Sequence, residues 1–224
     1  MSIKGNLEEI RKTIPENVCL VAVSKTKPIE NLEEAYDAGQ RIFGENKAQE
    51  MAQKAQSLPS DIEWHFIGHL QTNKVKYIAP YVSIIEAVDS FKLMEKINKE
   101  AAKNNRCIDV LIQFYIAEEE SKFGCDYKEA IELIQQIREN NLSNIRIRGV
   151  MGMATNTDNQ EQVLSEFKQL KTYFHKVKES YFESESSFDT ISMGMSNDYQ
   201  LAIEAGSTNV RIGSSIFGAR NYSK

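Results

Sequence analysis

Lys25 follows the apolar run Val21-Ala22-Val23 and Ser24, a pattern that delivers an amine to the end of a strand. Desolvation at such a place lowers a lysine's pKa and leaves a neutral nucleophile that can condense with an aldehyde. A lysine that only snorkels at a strand end leaves the same trace, and position alone favours that blander reading. The segment from Ile191 to Asp198 reads as a strand, a turn at Gly194 and a helix start. The backbone N–H groups of such a turn, with the Ser196 hydroxyl, can hold a phosphate, although Ser196 also suits a helix N-cap. Arg211, Gly213 and Ser214 form a second glycine-serine turn behind an arginine, which taken alone reads as half of an ion pair. Asn46 and His65 end two further apolar runs and are candidates for the same mouth. A histidine within an apolar strand is more often a satisfied core residue. Met151, Met153, Met193 and Met195 also fall at strand ends, where core packing explains them. Lys122 is either a second lysine at the mouth or a solvated loop lysine, and the loop is the preferred reading.

The elements that must position these residues alternate along the whole chain. Short β-rich runs over 18–24, 41–44, 62–68, 82–88, 108–116, 145–151, 189–194 and 209–213 are separated by segments with helical periodicity. Helices are expected over 29–38, 46–56, 71–79, 90–104, 127–140, 158–180 and 198–205, with 6–13 ahead of the first strand. Pro28 suits the first position of its helix, Gly39 its end, and Asp89-Ser90 the start of another. Eight such βα units with short loops predict a closed (β/α)8 barrel with functional residues at the carboxyl ends of its strands. The two glycine-serine turns then follow strands seven and eight, the usual phosphate loops of that architecture. A doubly wound open sheet is the rival, because strand order is invisible in a sequence. No linker or composition break divides the chain, and the serine-rich stretch 183–187 reads as a surface loop, so one domain over 1–224 is expected.

Composition narrows the function. The chain has 27 Lys and Arg against 32 Asp and Glu, and 41 % of it is apolar, which fits a globular fold rather than disorder. Neither a signal peptide nor the roughly 18 apolar residues of a membrane span is evident, so a cytoplasmic, membrane-free protein is expected. The mild acidic balance speaks against nucleic acid as a partner. Cys19, Cys107 and Cys125 are odd in number and lack metal-ligand spacing, which fits a reducing compartment and no zinc.

Taken together, Val21 to Lys27, Phe43-Gly44-Glu45-Asn46, Trp64 to Gly68 with Leu70 to Lys74, Ser192 to Ser196, Gly206-Ser207-Thr208 and Val210 to Gly213 resemble the pyridoxal phosphate homeostasis protein family over nearly the whole chain. Ser121, Lys122 and Gly124 also match, whereas Tyr115 and Ala117 stand where that family usually has asparagine and serine. The resemblance implies a barrel like the N-terminal domain of alanine racemases, with pyridoxal 5′-phosphate (PLP) joined to Lys25 as a Schiff base. It also implies that Arg211 faces the pyridine nitrogen and that Ser196, Gly213 and Ser214 hold the phosphate. Asn46 and His65 complete the expected set of cofactor contacts.

An arginine at the ring nitrogen has a chemical consequence. Guanidinium keeps its proton, so it can only donate to that nitrogen and leaves the ring a poor electron sink. The motif offers no acid of the kind aminotransferases use, and a chain spent on the barrel leaves no room for a second catalytic domain. The expected function is therefore non-enzymatic binding, buffering and delivery of PLP, with PLP-requiring apo-enzymes as possible recipients. Two alternatives stay open at this stage. One is a PLP-dependent amino-acid racemase with His65 or Tyr115 as the second acid/base, and the other is an aldolase-like barrel acting on a sugar phosphate.

Overall fold

The computed structural model describes residues 2–119 and 123–219, so Lys122 lies outside the described residues. Eight strands form the core of the molecule: β1 (Cys19–Val23), β2 (Ile42–Glu45), β3 (Glu63–Phe66), β4 (Ile84–Val88), β5 (Ile108–Phe114), β6 (Ile145–Gly152), β7 (Thr190–Met195) and β8 (Asn209–Ile212). Each pairs in parallel with its sequence neighbour, and β1 pairs with β8 through Cys19↔Asn209 to Ala22↔Ile212. That last pairing closes the barrel and removes the open-sheet alternative.

The helices are α1 (Ile3–Lys12), α2 (Ile29–Asp37), α3 (Ala48–Ser57), α4 (Val75–Ile78), α5 (Phe91–Lys103), α6 (Tyr127–Glu139), α7 (Gln160–Tyr181), α8 (Tyr199–Ala205) and α9 (Ser214–Phe217). The segment expected as one helix over 71–79 is a 3-10 turn at Thr72–Lys74 followed by the single turn of α4. Pro28 is the N-cap of α2 rather than its first residue, with an extended ψ of 160°. Gly39 does follow that helix, at φ +85°, with its N–H on the Tyr36 carbonyl. Asp126 opens α6 with a full capping box, its side chain accepting from the Glu129 N–H while Glu129 accepts from the Asp126 N–H. The short α9 was not anticipated, because four residues carry no readable helical period.

Strand alternation sorts the barrel into two compartments. Leu20, Ala22, Phe43, Trp64, Phe66, Ile85, Ile112, Phe114, Ile191, Met193, Val210 and Ile212 belong to the main apolar core beneath the helices. Their alternates turn inward. Some are apolar, and Ile84, Leu111 and Met151 form a separate small cluster. Others are polar: His65, Glu86, Ser192 and Arg211 are all buried. A polar stripe inside a closed barrel must satisfy its own hydrogen bonds, and that requirement shapes the site above it.

Candidate functional site

A cavity of about 240 Å³ lies at the carboxyl ends of the strands. Its wall contains Lys25, Asn46, Ser196, Arg211, Gly213 and Ser214, six of the seven residues singled out from the sequence. The seventh, His65, is 6 % exposed and is not among the lining residues; its Nδ1 lies 2.7 Å from Glu86 Oε1. Two of the four methionines read as core, Met153 and Met195, also line the cavity, whereas Met151 and Met193 are fully buried as expected. Three cationic side chains, Lys25, Lys27 and Arg211, face one carboxylate, Asp198, across this wall. The mouth is thus locally positive in a molecule whose formal charge is −5, which favours an anionic ligand at this place alone.

Lys25 leaves β1 through a turn whose Lys27 N–H donates to the Ser24 carbonyl at 3.0 Å. Thr26, the third residue of that turn, has φ +65°. Turns of this kind reserve that place for glycine or asparagine, and a β-branched residue there stores about 1–3 kcal/mol of strain. Lys27 is anchored by its Nζ, which donates to the carbonyls of Phe217, Gly218 and Ala219 at 2.9, 3.0 and 2.9 Å. The first and last βα units are therefore tied together at the mouth.

Arg211 is 4 % exposed and enters the cavity from inside β8. Its Nη1 donates to Ser192 Oγ at 2.6 Å and its Nη2 to the Gly152 carbonyl at 3.1 Å. Ser192 in turn donates to Glu86 Oε2 at 2.5 Å, and Glu86 Oε2 lies 3.9 Å from Arg211 Nη1. A buried guanidinium keeps its charge and needs such a counter-charge, since an unpaired one out of water costs several kcal/mol. Burial pulls Arg211 below its ordinary pKa while Glu86 and Asp198 oppose the fall. For Glu86, burial pushes the other way, yet His65, Arg211 and Ser192 together hold the carboxyl below its ordinary range. Among the described residues, His65 meets the site through Glu86.

One end of the cavity is built from the β7 and β8 turns. Ser196 is not a helix cap; its Oγ accepts the Gly213 N–H at 3.1 Å, which leaves its hydroxyl proton for another acceptor. The N-cap of α8 is Asp198, whose Oδ1 accepts from the Met195 N–H at 2.5 Å instead of from its own helix. Gly194 makes this turn possible at φ +94°, where a Cβ would stand 2.5 Å from Ala202 Cβ. The N–H groups of Ser214 and Ser215 stand in the first turn of α9, where helical geometry gives them no acceptor within the helix.

Several participants were not singled out from the sequence. Glu86 carried a readable signal, a lone acid inside the otherwise apolar Ile84-Ile85-Glu86-Ala87-Val88. Ser192 carried none. Glu45 and Lys54 form a buried pair below the Lys25 turn, with Lys54 Nζ 2.7 Å from Glu45 Oε1. Lys54 was visible only as a charge on the buried stripe that includes Met51.

The closed parallel barrel, with its cavity at the carboxyl ends of the strands, is a barrel of the alanine racemase N-terminal domain class. The profile of the alanine racemase N-terminal domain matches residues 1–221. The chain belongs to the pyridoxal phosphate homeostasis protein family. The protein of that name from Pasteurella multocida is 40 % identical over 237 aligned positions covering 100 % of both chains. The one from Escherichia coli is 38 % identical, covering 99 % of this chain and 98 % of its own. Among solved structures, PipY of Synechococcus elongatus with PLP bound superposes with a TM-score of 0.87 at 32 % identity, covering 96 % of this chain and all of that one. The alanine racemase of Streptomyces lavendulae shares the fold, with a TM-score of 0.77 at 14 % identity over 97 % of this chain and 57 % of its own.

Proposed function

We propose that the chain binds PLP in the barrel mouth and holds it in reserve for PLP-requiring apo-enzymes, without turning over a substrate. The observation that carries the reading is the convergence in one cavity of an amine, a buried guanidinium and a serine-rich turn pair, at Lys25, Arg211, Ser196, Gly213 and Ser214. These residues fit the group. Lys25 supplies the amine for the aldehyde carbon, with loss of water, and Arg211 a fixed donor for the ring nitrogen. Ser196 and the Ser214 and Ser215 N–H groups supply donors for the phosphate. Among the described residues nothing donates to Asn46 Oδ1, a buried carbonyl oxygen in the same wall, so a ligand hydroxyl has an acceptor waiting. When bound, PLP supplies an electrophilic carbonyl and a ring able to delocalise charge; an arginine at the nitrogen limits the second.

Among the described residues, the titratable side chains of the lining are Lys25, Lys27, Asp198 and Arg211, with no tyrosine, histidine or cysteine, which supports storage over racemisation. PipY, solved with PLP bound, supports the choice of ligand. A cytoplasmic pool accords with three free cysteines, Cys19, Cys107 and Cys125, of which burial pushes Cys19 and Cys125 up to about 12. No described helix is long and apolar enough to cross a membrane.

The test is uptake of PLP by purified protein, followed by absorbance and then by borohydride reduction and peptide mass. The adduct is expected on Lys25 and is expected to vanish in Lys25→Ala. Absence of an adduct at saturating PLP, or an adduct on another lysine, overturns the assignment. Solvent deuterium entering Cα of amino acids supplied to the loaded protein would overturn the non-catalytic role.

A further inference from the structure

The geometry points to Lys54, acting with Glu50, as the positioning apparatus for Lys25: together they hold the strained turn that aims the Lys25 amine into the cavity. This rests on the reading of Lys25 as the amine that captures PLP. Lys54 is 4 % exposed, on the inner face of α3. Its ammonium has three protons and three acceptors: the Ser24 carbonyl at 2.8 Å, Glu45 Oε1 at 2.7 Å and Glu50 Oε1 at 2.8 Å. Each acceptor is tied to the turn. The Ser24 carbonyl is the one that receives the Lys27 N–H and closes it. Glu45 Oε1 also takes the Ser24 hydroxyl proton at 2.6 Å. Glu50 Oε1 also takes the Thr26 N–H at 2.5 Å, at the one residue of the turn with positive φ.

A β-branched residue does not occupy that backbone region unless its surroundings impose it. Here the imposition is visible as a carboxylate gripping the Thr26 amide, itself locked by the lysine that grips the Ser24 carbonyl. None of Ser24, Thr26, Glu45, Glu50 or Lys54 lines the cavity, so the apparatus acts through the turn and not on the ligand. Lys54 and Glu45 are buried and Glu50 is half-buried; a charged cluster of this kind adds little net stability compared with apolar packing, and positional specificity is a role such groups fill in some proteins. The strained Thr26 gives that specificity a target in this chain.

Three variants and two ligands separate the possibilities. PLP forms the covalent link, whereas pyridoxine 5′-phosphate has the same ring and phosphate without the aldehyde. Lys54→Met is expected to slow covalent capture of PLP at least tenfold while changing the affinity for pyridoxine 5′-phosphate less than twofold. Thr26→Gly, which accepts positive φ without help, is expected to restore part of the lost rate in the Lys54→Met background, a rescue that a merely structural role would not give. Should Lys54→Met fail to fold, Glu50→Ala removes only the grip on the Thr26 amide. It is expected to raise hydrogen exchange at Thr26 and slow capture. Wild-type capture rates in a folded Lys54→Met, or in Glu50→Ala, overturn the inference. An adduct on a lysine other than Lys25 in the unmodified protein overturns the reading beneath it instead.

Discussion

Two buried glutamates carry opposite electrostatic signatures, and the difference is measurable one residue at a time. Glu86 is held below its ordinary pKa in spite of burial by His65, Arg211 and Ser192, so its folded-state value lies under the unfolded one. The stability it contributes is complete above the unfolded value of about 4.3 and is lost as pH falls through the folded value. Glu45 is displaced upward, chiefly by burial, with Lys54 and Ser24 only partly compensating. Its charge therefore costs stability above the folded value, and that cost disappears as pH falls below about 4.3. Glu86→Gln should melt lower at pH 7 and lose less on acidification to about pH 3, well under the unfolded value, than the unmodified protein. Glu45→Gln should lose more on the same path. Calorimetric melting across that range checks both, and parallel pH profiles for all three proteins would refute the assignment. Of these residues the sequence displayed only the types. The partners lie 21, 106 and 19 positions apart along the chain, at His65–Glu86, Glu86–Ser192 and Ser192–Arg211, and no local pattern links them.

At the level of elements, period and punctuation were legible wherever a segment was long enough to show them. All eight strands fall within about two residues of the expected bounds, because each is a β-rich run flanked by turn residues. The errors are the broken helix at Thr72–Ile78 and the unforeseen α9, where tertiary packing rather than periodicity decides, and the start of α1, expected at residue 6 and found at Ile3 behind the Ser2 cap. The β7 turn shows how an element positions chemistry: Gly194 at φ +94° lets Tyr199 and Ala202 of α8 close upon it, two residues before Ser196. Gly194→Ala places a methyl 2.5 Å from Ala202 Cβ in a backbone region that side chains resist. A loss of about 1–3 kcal/mol is expected, lowering the melting temperature by about 2–4 °C per kcal/mol for a chain of this size. Displacing Ser196 should weaken PLP more than pyridoxal, which lacks the phosphate. Equal weakening of the two ligands would show that this turn does not hold the phosphate.

The whole molecule brings its first and last strands to one cavity. Lys25 follows the first strand and Arg211, Gly213 and Ser214 belong to the last, and β1 and β8 are the pair that closes the barrel. That closure was the least legible feature of the sequence, since eight βα units are compatible with an open sheet until the first strand is seen beside the eighth. The seam already has supports outside the sheet: Asn6 Nδ2 donates to the Ile216 carbonyl at 2.9 Å, and Lys27 Nζ reaches three carbonyls at the end of α9. A ligand joined to Lys25 at one end and held by the β7 and β8 turns at the other, as proposed, would be a further tie across the same seam. Ligand at 100 times its dissociation constant stabilises the folded state by about 2.7 kcal/mol, and at about 2–4 °C per kcal/mol that raises the melting temperature by roughly 5–11 °C. The gain should be local as well as global. Amides of β1 and β8 are expected to exchange more slowly with PLP bound, while those of β4 and β5, across the barrel, change least. Pyridoxal, joined to the amine without an anionic tail, should stabilise less and protect β1 more than β8. Protection spread evenly around all eight strands would mean that the ligand does not bridge the closing pair, and the placement of its two ends on β1 and β8 would be wrong.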